Sequence, residues 1–336
     1  MNYFENEIVV ILLCTFSCFS VTFGSMPIII KKMIRAGLHG VDVNKIDKPE
    51  IPEMGGVGGF LGFSLGITFS LGIIKYFYSI DELPVLITIC VLSIAAFVGL
   101  LDDVSILGRK EKAWFITFAS LPLLISQMGP SNFDLIIFHY SFPHLFFWLI
   151  IVPLAVTGCA NAINMSAGYN GLESGQIFII SFSLLIVSFI LDVVLAVKII
   201  FAGLIGVTGA LFYFNRYPAK IFIGDIGTLG FGSVIASAVV MSGTAIYGVI
   251  CLLPTFYELI STLWFKRKGI ERREACMNPV IDSKGVIKPL EGASNYTLCF
   301  FLLSRFDLTE RNLVRLVLFI YFLFGLLSIV LSYFLK

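Results

Sequence analysis

The chain has 336 residues, of which 58% are hydrophobic and only 13% are charged, with 23 basic and 22 acidic side chains. Globular proteins carry about 25% charged residues, so this composition excludes a water-soluble protein and indicates an integral membrane protein. The balanced charge offers no concentrated basic surface for nucleic acid, and the seven scattered cysteines form no CxxC pair, which argues against a zinc site or a disulfide framework.

Long apolar runs recur along the chain at about 20 residues, the length that a helix needs to cross a bilayer. They predict an all-α, polytopic membrane protein with about ten transmembrane helices. The predicted spans lie near residues 8–30, 55–74, 84–101, 113–129, 145–160, 177–191, 193–214, 226–241, 244–264 and 313–335. No internal repeat is evident, so residues 1–336 are predicted to form one membrane domain whose first span is retained rather than cleaved as a signal peptide.

The distribution of basic residues predicts the orientation. If the spans alternate with the N-terminus outside, every basic residue except Lys75, Lys198 and Lys336 falls on the cytosolic side. Because lysine and arginine are enriched in cytosolic loops, both termini are predicted to lie outside.

The longest polar insertion, residues 265–312, is predicted to be a structured cytosolic loop. Residues 279–289 contain two short β-branched runs around Asp-Ser-Lys-Gly, which is the pattern of a β-hairpin. Asp307 lies three positions before Glu310, and this spacing predicts that Asp307 caps the final helix.

A first polar cluster closes the third predicted span. Asp102 and Asp103 end the apolar run, and Arg109, Lys110 and Lys112 follow. Such an acidic pair can be a solvated anchor at the membrane boundary, but it is also suited to be a general base or a divalent-cation site.

A second cluster lies in the cytosolic loop after the fifth span. Asn161 and Asn164 are three residues apart, so on a helix they share a face and can present oxygens to one cation or one ligand. Asn170 and Gly171 form a turn signal, and Glu173 follows them. An ordinary polar loop is the alternative interpretation.

The remaining clusters combine an acid with cations. Asp225 lies between glycines where a span begins, and Arg216 and Lys220 before it could attract an anion. A simple helix N-cap is the alternative for Asp225. Five basic residues fall between positions 266 and 273, where most are expected to anchor the cytosolic face. Together the clusters predict one site with oxygen ligands for Mg²⁺, cations for phosphate and apolar helices for a lipid, a composition that suits phosphoryl transfer.

These clusters, in this order and on one side of about ten spans, resemble the polyprenyl-phosphate N-acetylhexosamine-1-phosphate transferase family. The motifs that carry the resemblance are DVNK at 42–45, PEMGG at 52–56, LDDV at 101–104 with Lys112, NAINMSAGYNGLE at 161–173 and FIGD at 222–225. The stretch 167–173 and the hairpin-bearing loop are most similar to the archaeal and eukaryotic branch that moves GlcNAc-1-phosphate onto dolichyl phosphate. The bacterial muramyl-pentapeptide branch carries a histidine triplet in the last loop, where residues 266–311 contain no histidine.

The resemblance implies transfer of GlcNAc-1-phosphate from UDP-GlcNAc to dolichyl or polyprenyl phosphate with release of UMP, the first step of lipid-linked oligosaccharide synthesis for N-glycosylation. It implies that Mg²⁺, or alternatively Mn²⁺, is bound by Asn164 and Asp225. Residues 265–312 would recognise the sugar nucleotide, and Asn170 would lie at the uracil. The implied catalytic residues are Asp102, Asp103 and Lys112, and the implied substrate-binding residues are Glu53, Asn161, Asn170, Gly171, Glu173, Arg272 and Arg273.

One departure from the family pattern concerns Arg272 and Arg273. The dolichyl-phosphate branch has an Arg-His-Arg-Ile-Pro stretch in the last loop, and the best match here, residues 275–279, lacks those arginines. Arg272 and Arg273 are expected to substitute for them after a shift of register.

Several alternatives stay open at this stage. The aspartate pair could deprotonate the lipid phosphate, position it, or form a covalent intermediate. Another UDP-N-acetylhexosamine would fit equally well, and an ion-coupled secondary transporter is the rival class. The expected location is a membrane with the active site in the cytosol, an archaeal plasma membrane being favoured over the endoplasmic reticulum. The expected partners are the two substrates and membrane lipids but no nucleic acid, and a homodimer is one of the oligomeric states left open.

Overall fold

The computed structural model of the protein describes residues 3–105, 107–135, 138–267, 279–289 and 297–336. Most of these residues are α-helical, as the sequence predicts. The helices are α1 (Tyr3–Ala36), α2 (Gly56–Ile74), α3 (Leu83–Ser105), α4 (Arg109–Thr117), α5 (Leu121–Ser126), α6 (His144–Phe146), α7 (Val152–Ser166), α8 (Leu172–Ile190), α9 (Leu195–Asn215), α10 (Gly224–Ser242), α11 (Ala245–Arg267), α12 (Leu298–Leu303) and α13 (Glu310–Phe334).

Eight of the described helical segments are long and apolar enough to cross a membrane. They are Glu7–Ala36, Gly56–Ile74, Leu83–Ser105, His144–Ser166, Leu172–Ile190, Leu195–Asn215, Gly224–Ser242 and Glu310–Phe334. The polytopic all-α prediction is therefore confirmed.

The two other predicted spans are also helical, and one of them is interrupted. A 3₁₀ turn over Phe118–Ser120 divides the span predicted at 113–129 into α4 and α5, and a proline follows in the first turn of α5. The span predicted at 244–264 corresponds to α11, which runs over Ala245–Arg267 and contains Pro254. Hydropathy measures the apolar length of a segment and does not detect such changes in backbone geometry.

Within the described ranges, three small antiparallel sheets connect the helices. Their strands are β1 (His39–Val41) with β2 (Glu50–Pro52), β3 (Asn132–Leu135) with β4 (Phe138–Ser141), and β5 (Val280–Ile281) with β6 (Val286–Lys288) and β7 (Leu308–Thr309). Ile281 pairs with Ile287, which confirms the predicted hairpin, and Ile287 also pairs with Leu308. The predicted cap at Asp307 is wrong, because the next two residues form β7 and Thr309 occupies the N-cap position of α13.

Helix α10 forms the centre of the bundle. It packs against α2, α3, α7 and α9, and almost all of its residues are buried. Glycines permit this close approach: a Cβ atom on Gly99 of α3 would lie 2.5 Å from the backbone of Asp225, and one on Gly56 of α2 would lie 2.3 Å from the amide nitrogen of Gly227. Small residues let transmembrane helices pack backbone against backbone in this way. The first turn of α10 is thus fixed by two neighbouring helices.

Candidate active site

The amino end of α10 is capped by a side chain from another helix. The N-cap residue of α10, Ile223, offers no side-chain acceptor. Asp103, near the end of α3, accepts hydrogen bonds from the backbone N–H groups of Asp225 (3.0 Å) and Ile226 (3.4 Å). A carboxylate at this place also interacts favourably with the positive end of the helix dipole. Asp103 therefore holds the backbone of Asp225 in position.

Oxygen atoms from three helices converge on the ammonium group of Lys112. Lys112 Nζ lies 2.8 Å from Asp102 Oδ2 and 3.2 Å from Asn164 Oδ1, and it also pairs with Asp225 Oδ2. The amide of Asn164 donates to Asp225 Oδ1 (2.6 Å) and to Thr228 Oγ1 (2.8 Å). These five residues are called the Lys112 cluster below. Four of them were predicted as site residues from the sequence, and Thr228 is added by the structure.

Glu53 reaches the same place from the loop between β2 and α2. This loop is paired with the residues before α10, because Gly55 N–H donates to the Phe222 carbonyl (2.8 Å) and Phe222 N–H donates to the Pro52 carbonyl (2.8 Å). Burial raises the pKa of Glu53, the negative charge of Asp225 raises this pKa further, and His39 lowers it. Glu53 is therefore close enough to Asp225 for their charges to interact.

A second group of predicted residues lies in the loop between α7 and α8. Asn170 is buried and donates its backbone N–H to Glu310 Oε1 (2.8 Å). Gly171, at the N-cap position of α8 with φ of 89°, donates its N–H to Asn215 Oδ1 (3.1 Å). Glu173 accepts from the backbone N–H of Gly168 (3.2 Å), so it braces the same loop.

Three predicted residues are not joined to these groups. The amide of Asn161 donates to the carbonyl of Thr157 one turn earlier in α7 (2.8 Å), and no hydrogen bond links it to the Lys112 cluster within the described part of the chain. Arg272 and Arg273 lie outside the described residues, as does most of the stretch 275–279.

Comparison with known proteins identifies the family. The model of glycosyl transferase family 4 matches residues 85–243, a range that contains the Lys112 cluster. A protein of Saccharolobus solfataricus with the provisional name UDP-N-acetylglucosamine–dolichyl-phosphate N-acetylglucosaminephosphotransferase is 32% identical over 269 residues, which are 79% of this chain and 81% of the relative. A protein of Sulfolobus acidocaldarius with the same provisional name is 30% identical and covers 95% of both chains.

The chain belongs to the polyprenyl-phosphate N-acetylhexosamine-1-phosphate transferase family. The resemblance inferred from the motifs is thereby confirmed. The family is broad, because a phospho-N-acetylmuramoyl-pentapeptide-transferase of Streptococcus equi is also 29% identical over 287 residues, which are 78% of this chain and 84% of the relative.

Sequence reasoning missed part of the polar network of this transferase. Asp42, Lys45, Asn215 and Glu310 all contact the α7–α8 loop or its partners, yet none was predicted as a site residue. Asp42 and Lys45 belong to the DVNK motif, and Glu310 is the acidic residue in the first turn of α13. The DVNK motif could have identified Asp42 and Lys45 as site residues, but their partners lie more than 120 positions away in the chain and could not be predicted from it.

The donor set of the Lys112 cluster is chemically suited to the divalent cation that the family implies. Asp102, Asp225 and Asn164 turn carboxylate and amide oxygens toward one positive charge, here the ammonium group of Lys112. Hard oxygen donors of this kind are the ligands of Mg²⁺, which is usually held by one or two carboxylates and completed by phosphate and water. Within the described residues no group of three or more His, Cys, Asp or Glu side chains forms a metal site alone.

An apolar cavity of about 150 Å³ lies between α7, α10 and α11 of the transferase. Its lining includes Cys159, Ala236, Gly248 and Leu252, and almost all of its surface is apolar. The lining also includes Val240 and Gly243 at the carboxyl end of α10, whereas Asp225 lies in the first turn of that helix, so the cavity lies toward the opposite end of α10 from the Lys112 cluster.

Proposed function

We propose that this protein transfers GlcNAc-1-phosphate from UDP-GlcNAc to a dolichyl or other polyprenyl phosphate, releasing UMP. The observation that carries the proposal is the convergence of Asp102, Asp225 and Asn164 on Lys112, at one end of a bundle of apolar helices. Charged groups for a pyrophosphate and apolar helices against which a lipid can lie are the two requirements of this reaction. The provisional names of the two archaeal relatives support the same substrates.

The proposed reaction is a direct displacement at phosphorus. An oxygen of the lipid phosphate attacks the β-phosphorus of UDP-GlcNAc, a new P–O bond forms, and the bond from that phosphorus to the oxygen bridging the two phosphates breaks. The electron pair leaves with UMP. A phosphate monoester with a second pKa near 6 is already mostly dianionic at neutral pH, so the nucleophile needs no general base.

In this mechanism the protein acts by positioning and electrostatics. Lys112 offsets the charge that develops on the phosphate oxygens, and Asp102 orients Lys112 through their 2.8 Å contact. Asp103 acts indirectly, because its carboxylate is engaged by the amino end of α10. Asn164 and Asp225 would hold Mg²⁺, which would neutralise negative charge on the phosphates of the donor when bound.

The membrane arrangement proposed here follows the positive-inside rule. The Lys112 cluster lies at the end of α3 and the beginning of α10, which is the cytosolic side when the basic loops are inside. Nucleotide sugars are made in the cytosol, so this orientation suits the donor substrate. The archaeal origin of the named relatives supports an archaeal plasma membrane.

The test is UMP production by the detergent-purified full chain. The assay contains UDP-GlcNAc, MgCl₂ and dolichyl phosphate, and mass spectrometry of the lipid extract detects GlcNAc-diphospho-dolichol. We expect UMP release that requires the lipid, stops on addition of EDTA and returns with excess Mg²⁺ or Mn²⁺. Asp225→Asn is expected to reduce the rate at least about 100-fold, because it removes a charged oxygen donor.

Two other outcomes would change the assignment. UMP release only with UDP-GalNAc or another UDP-N-acetylhexosamine would keep the reaction and replace the sugar. Uptake of UDP-sugar into proteoliposomes without any UMP would instead support a transporter and refute the transferase reaction.

A further inference from the structure

Two tyrosines at the end of α9 hold three exposed cations. Arg216 Cζ and Lys220 Nζ each lie 5.2 Å from the centroid of the Tyr213 ring, and Arg311 Cζ lies 5.3 Å from the centroid of the Tyr217 ring. At these distances a cation is attracted to the face of an aromatic ring. The rings remain 43% and 38% exposed, so they are open to the surroundings of the bundle. The five residues are called the Tyr213 surface below.

The chain after α9 turns back and brings the cations together. Arg216 directly follows α9, and the backbone N–H of Lys220 donates to the carbonyl of Phe214 (2.8 Å), so Lys220 returns to the level of the last turn of the helix. The charges of Arg216 and Lys220 are therefore at most twice 5.2 Å apart. Arg311 reaches the neighbouring ring from the first turn of α13.

No carboxylate neutralises the Tyr213 surface. Arg216, Lys220 and Arg311 form no ion pair with an acidic side chain in the part of the chain that the structure describes. In contrast, Lys45, which also lies near these rings, is paired with Asp42. Three positive charges that are held close together without acidic partners attract an anion.

A shallow apolar groove continues from the Tyr213 surface toward the middle of α9. Gly209 lies one turn before Tyr213, and a Cβ atom on it would be in ordinary contact with Phe178 of α8 (3.6 Å) and Phe19 of α1 (3.8 Å). The face of α9 therefore carries no side chain between these two rings. Phe23 extends the wall of the groove, because its ring centroid lies 5.5 Å from that of Phe19 and 5.2 Å from that of Tyr213. The groove begins about 10.5 Å along the helix axis from the nearest cation.

We infer that the Tyr213 surface and this groove bind one anionic phospholipid, with its phosphodiester among the three cations and a hydrocarbon chain along α9. The charge of the surface selects the headgroup. Basic pockets beside transmembrane helices bind acidic headgroups, and tyrosine rings are enriched at the level of the headgroups. A zwitterionic lipid brings a cation of its own, which the unpaired positive charges repel.

The lipid site is separate from the Lys112 cluster. The cluster lies on α3, α4, α7 and α10, whereas the Tyr213 surface lies at α9 and α13 and its groove is bounded by α1 and α8. Both are at the same end of the bundle, because α10 begins a few residues after α9 ends. The bound lipid is a component of the bilayer and not the acceptor substrate. The inference therefore does not depend on the proposed reaction.

The experiment measures lipid binding to the detergent-purified full chain, without UDP-GlcNAc. A phosphatidylglycerol with a fluorophore on one acyl chain is bound and then displaced by unlabelled phosphatidylglycerol or phosphatidylcholine. We expect phosphatidylglycerol to bind at least about tenfold more tightly than phosphatidylcholine, because each cation near an anionic headgroup contributes about fivefold. This preference should decrease as the salt concentration rises.

Paired variants separate the site from the general charge of the protein. Arg216→Gln with Lys220→Gln should weaken phosphatidylglycerol binding about 30-fold and leave phosphatidylcholine binding unchanged. The control, Lys110→Gln with Lys284→Gln, removes the same charge from two exposed lysines elsewhere and should bind like wild type. Arg216→Lys with Lys220→Arg keeps both charges and should also bind nearly like wild type. Gly209→Leu fills the groove and should weaken both lipids roughly tenfold, because it displaces buried methylene groups.

The inference is overturned if wild type does not prefer phosphatidylglycerol, if the control pair loses as much affinity as the Arg216 and Lys220 pair, or if excess inorganic phosphate displaces the labelled lipid. An equal loss of phosphatidylglycerol and dolichyl phosphate binding in Arg216→Gln with Lys220→Gln would also contradict it, because the surface would then belong to the acceptor site. A protein that shows the expected lipid binding but releases no UMP from UDP-GlcNAc would keep the inference and reject the proposed reaction.

Discussion

Replacing Gly99 by alanine should reduce the reaction rate without touching any polar residue. Gly99 lies in α3, one turn before the acidic pair, and faces the first turn of α10. An added Cβ would lie 2.5 Å from the carbonyl carbon and oxygen of Asp225 and from the backbone nitrogen of Ile226. These atoms belong to the backbone, so no side-chain rotation can relieve the overlap.

The size of the effect follows from the distances. Ordinary van der Waals contact begins at 3.4 Å, so α3 and α10 must separate by about 0.9 Å. A displacement of about 1 Å at a reacting group costs on the order of 100-fold in rate. Overpacking of this kind costs about 1–3 kcal/mol in stability, so the variant is expected to remain folded in detergent.

The assay compares kcat for UMP release between Gly99→Ala and Gly158→Ala. Gly158 lies in α7, the helix that carries Asn164, and an added Cβ there meets no protein atom within 4 Å among the described residues. We expect a fall of about 100-fold for Gly99→Ala and nearly wild-type kcat for Gly158→Ala. Thermal unfolding in detergent checks that both variants are folded.

Wild-type kcat for a folded Gly99→Ala would refute this reasoning. It would mean either that α3 and α10 do not meet at the Gly99 backbone, or that the position of Asp225 does not limit the reaction. A comparable loss of kcat in Gly158→Ala would also contradict it, because the effect would then follow from any added methyl group near the site.

Three further predictions address single side chains. Lys112→Met should reduce UMP release about 100-fold or more because it removes the cation at the centre of the cluster. Lys110 is an exposed lysine in the same helix, and Lys110→Met should leave UMP release nearly unchanged. Equal losses in the two variants would contradict the role assigned to Lys112. Because burial and nearby negative charge raise the pKa of Glu53, its ionisation costs folding stability, and Glu53→Gln should unfold at a higher temperature than wild type at pH 7. This advantage should vanish as the pH falls below 4.5, the ordinary pKa of a glutamate, because the wild-type carboxyl is then protonated in both the folded and the unfolded state. A difference in unfolding temperature that persists at lower pH would refute the raised pKa of Glu53. Lys198→Met should lower stability by about 3–5 kcal/mol because it leaves Glu7, its buried partner at 2.7 Å, without a cation, and adding Glu7→Gln should restore most of the loss in detergent unfolding.

The sequence predicted the parts of the fold that depend on local pattern. Apolar runs located the spans, and β-branched residues around Asp-Ser-Lys-Gly located the hairpin. The third strand of that sheet was not predicted, because Leu308 lies 21 positions after Ile287 and only two residues pair there. The same pairing explains why Asp307 does not cap the last helix: the chain is still extended at Leu308 and Thr309.

The candidate site was predicted as a set of residues but not as an arrangement. Motifs and spacing identified Asp102, Asp103 and Asp225 without indicating that Asp103 caps α10 while Asp102 holds Lys112. That division depends on how α3 packs against α10 and α4, which no local pattern encodes. The hydrogen bond from Asn170 to Asp42 was missed for the same reason, since 128 positions separate them.

The ion pair between Lys45 and Glu310 links the order of synthesis to the completion of the site. Asp42 and Lys45 emerge from the ribosome together and can pair at once, but Glu310 follows Lys45 by 265 residues. At about 5–20 residues per second, this interval is roughly 13–53 s. The loop that carries Asn170 must therefore wait for the insertion of α13 before its backbone gains the acceptor of Glu310. A nascent chain whose translation stops before α13 would hold every residue of the Lys112 cluster and still lack the Glu310 acceptor for the backbone of Asn170.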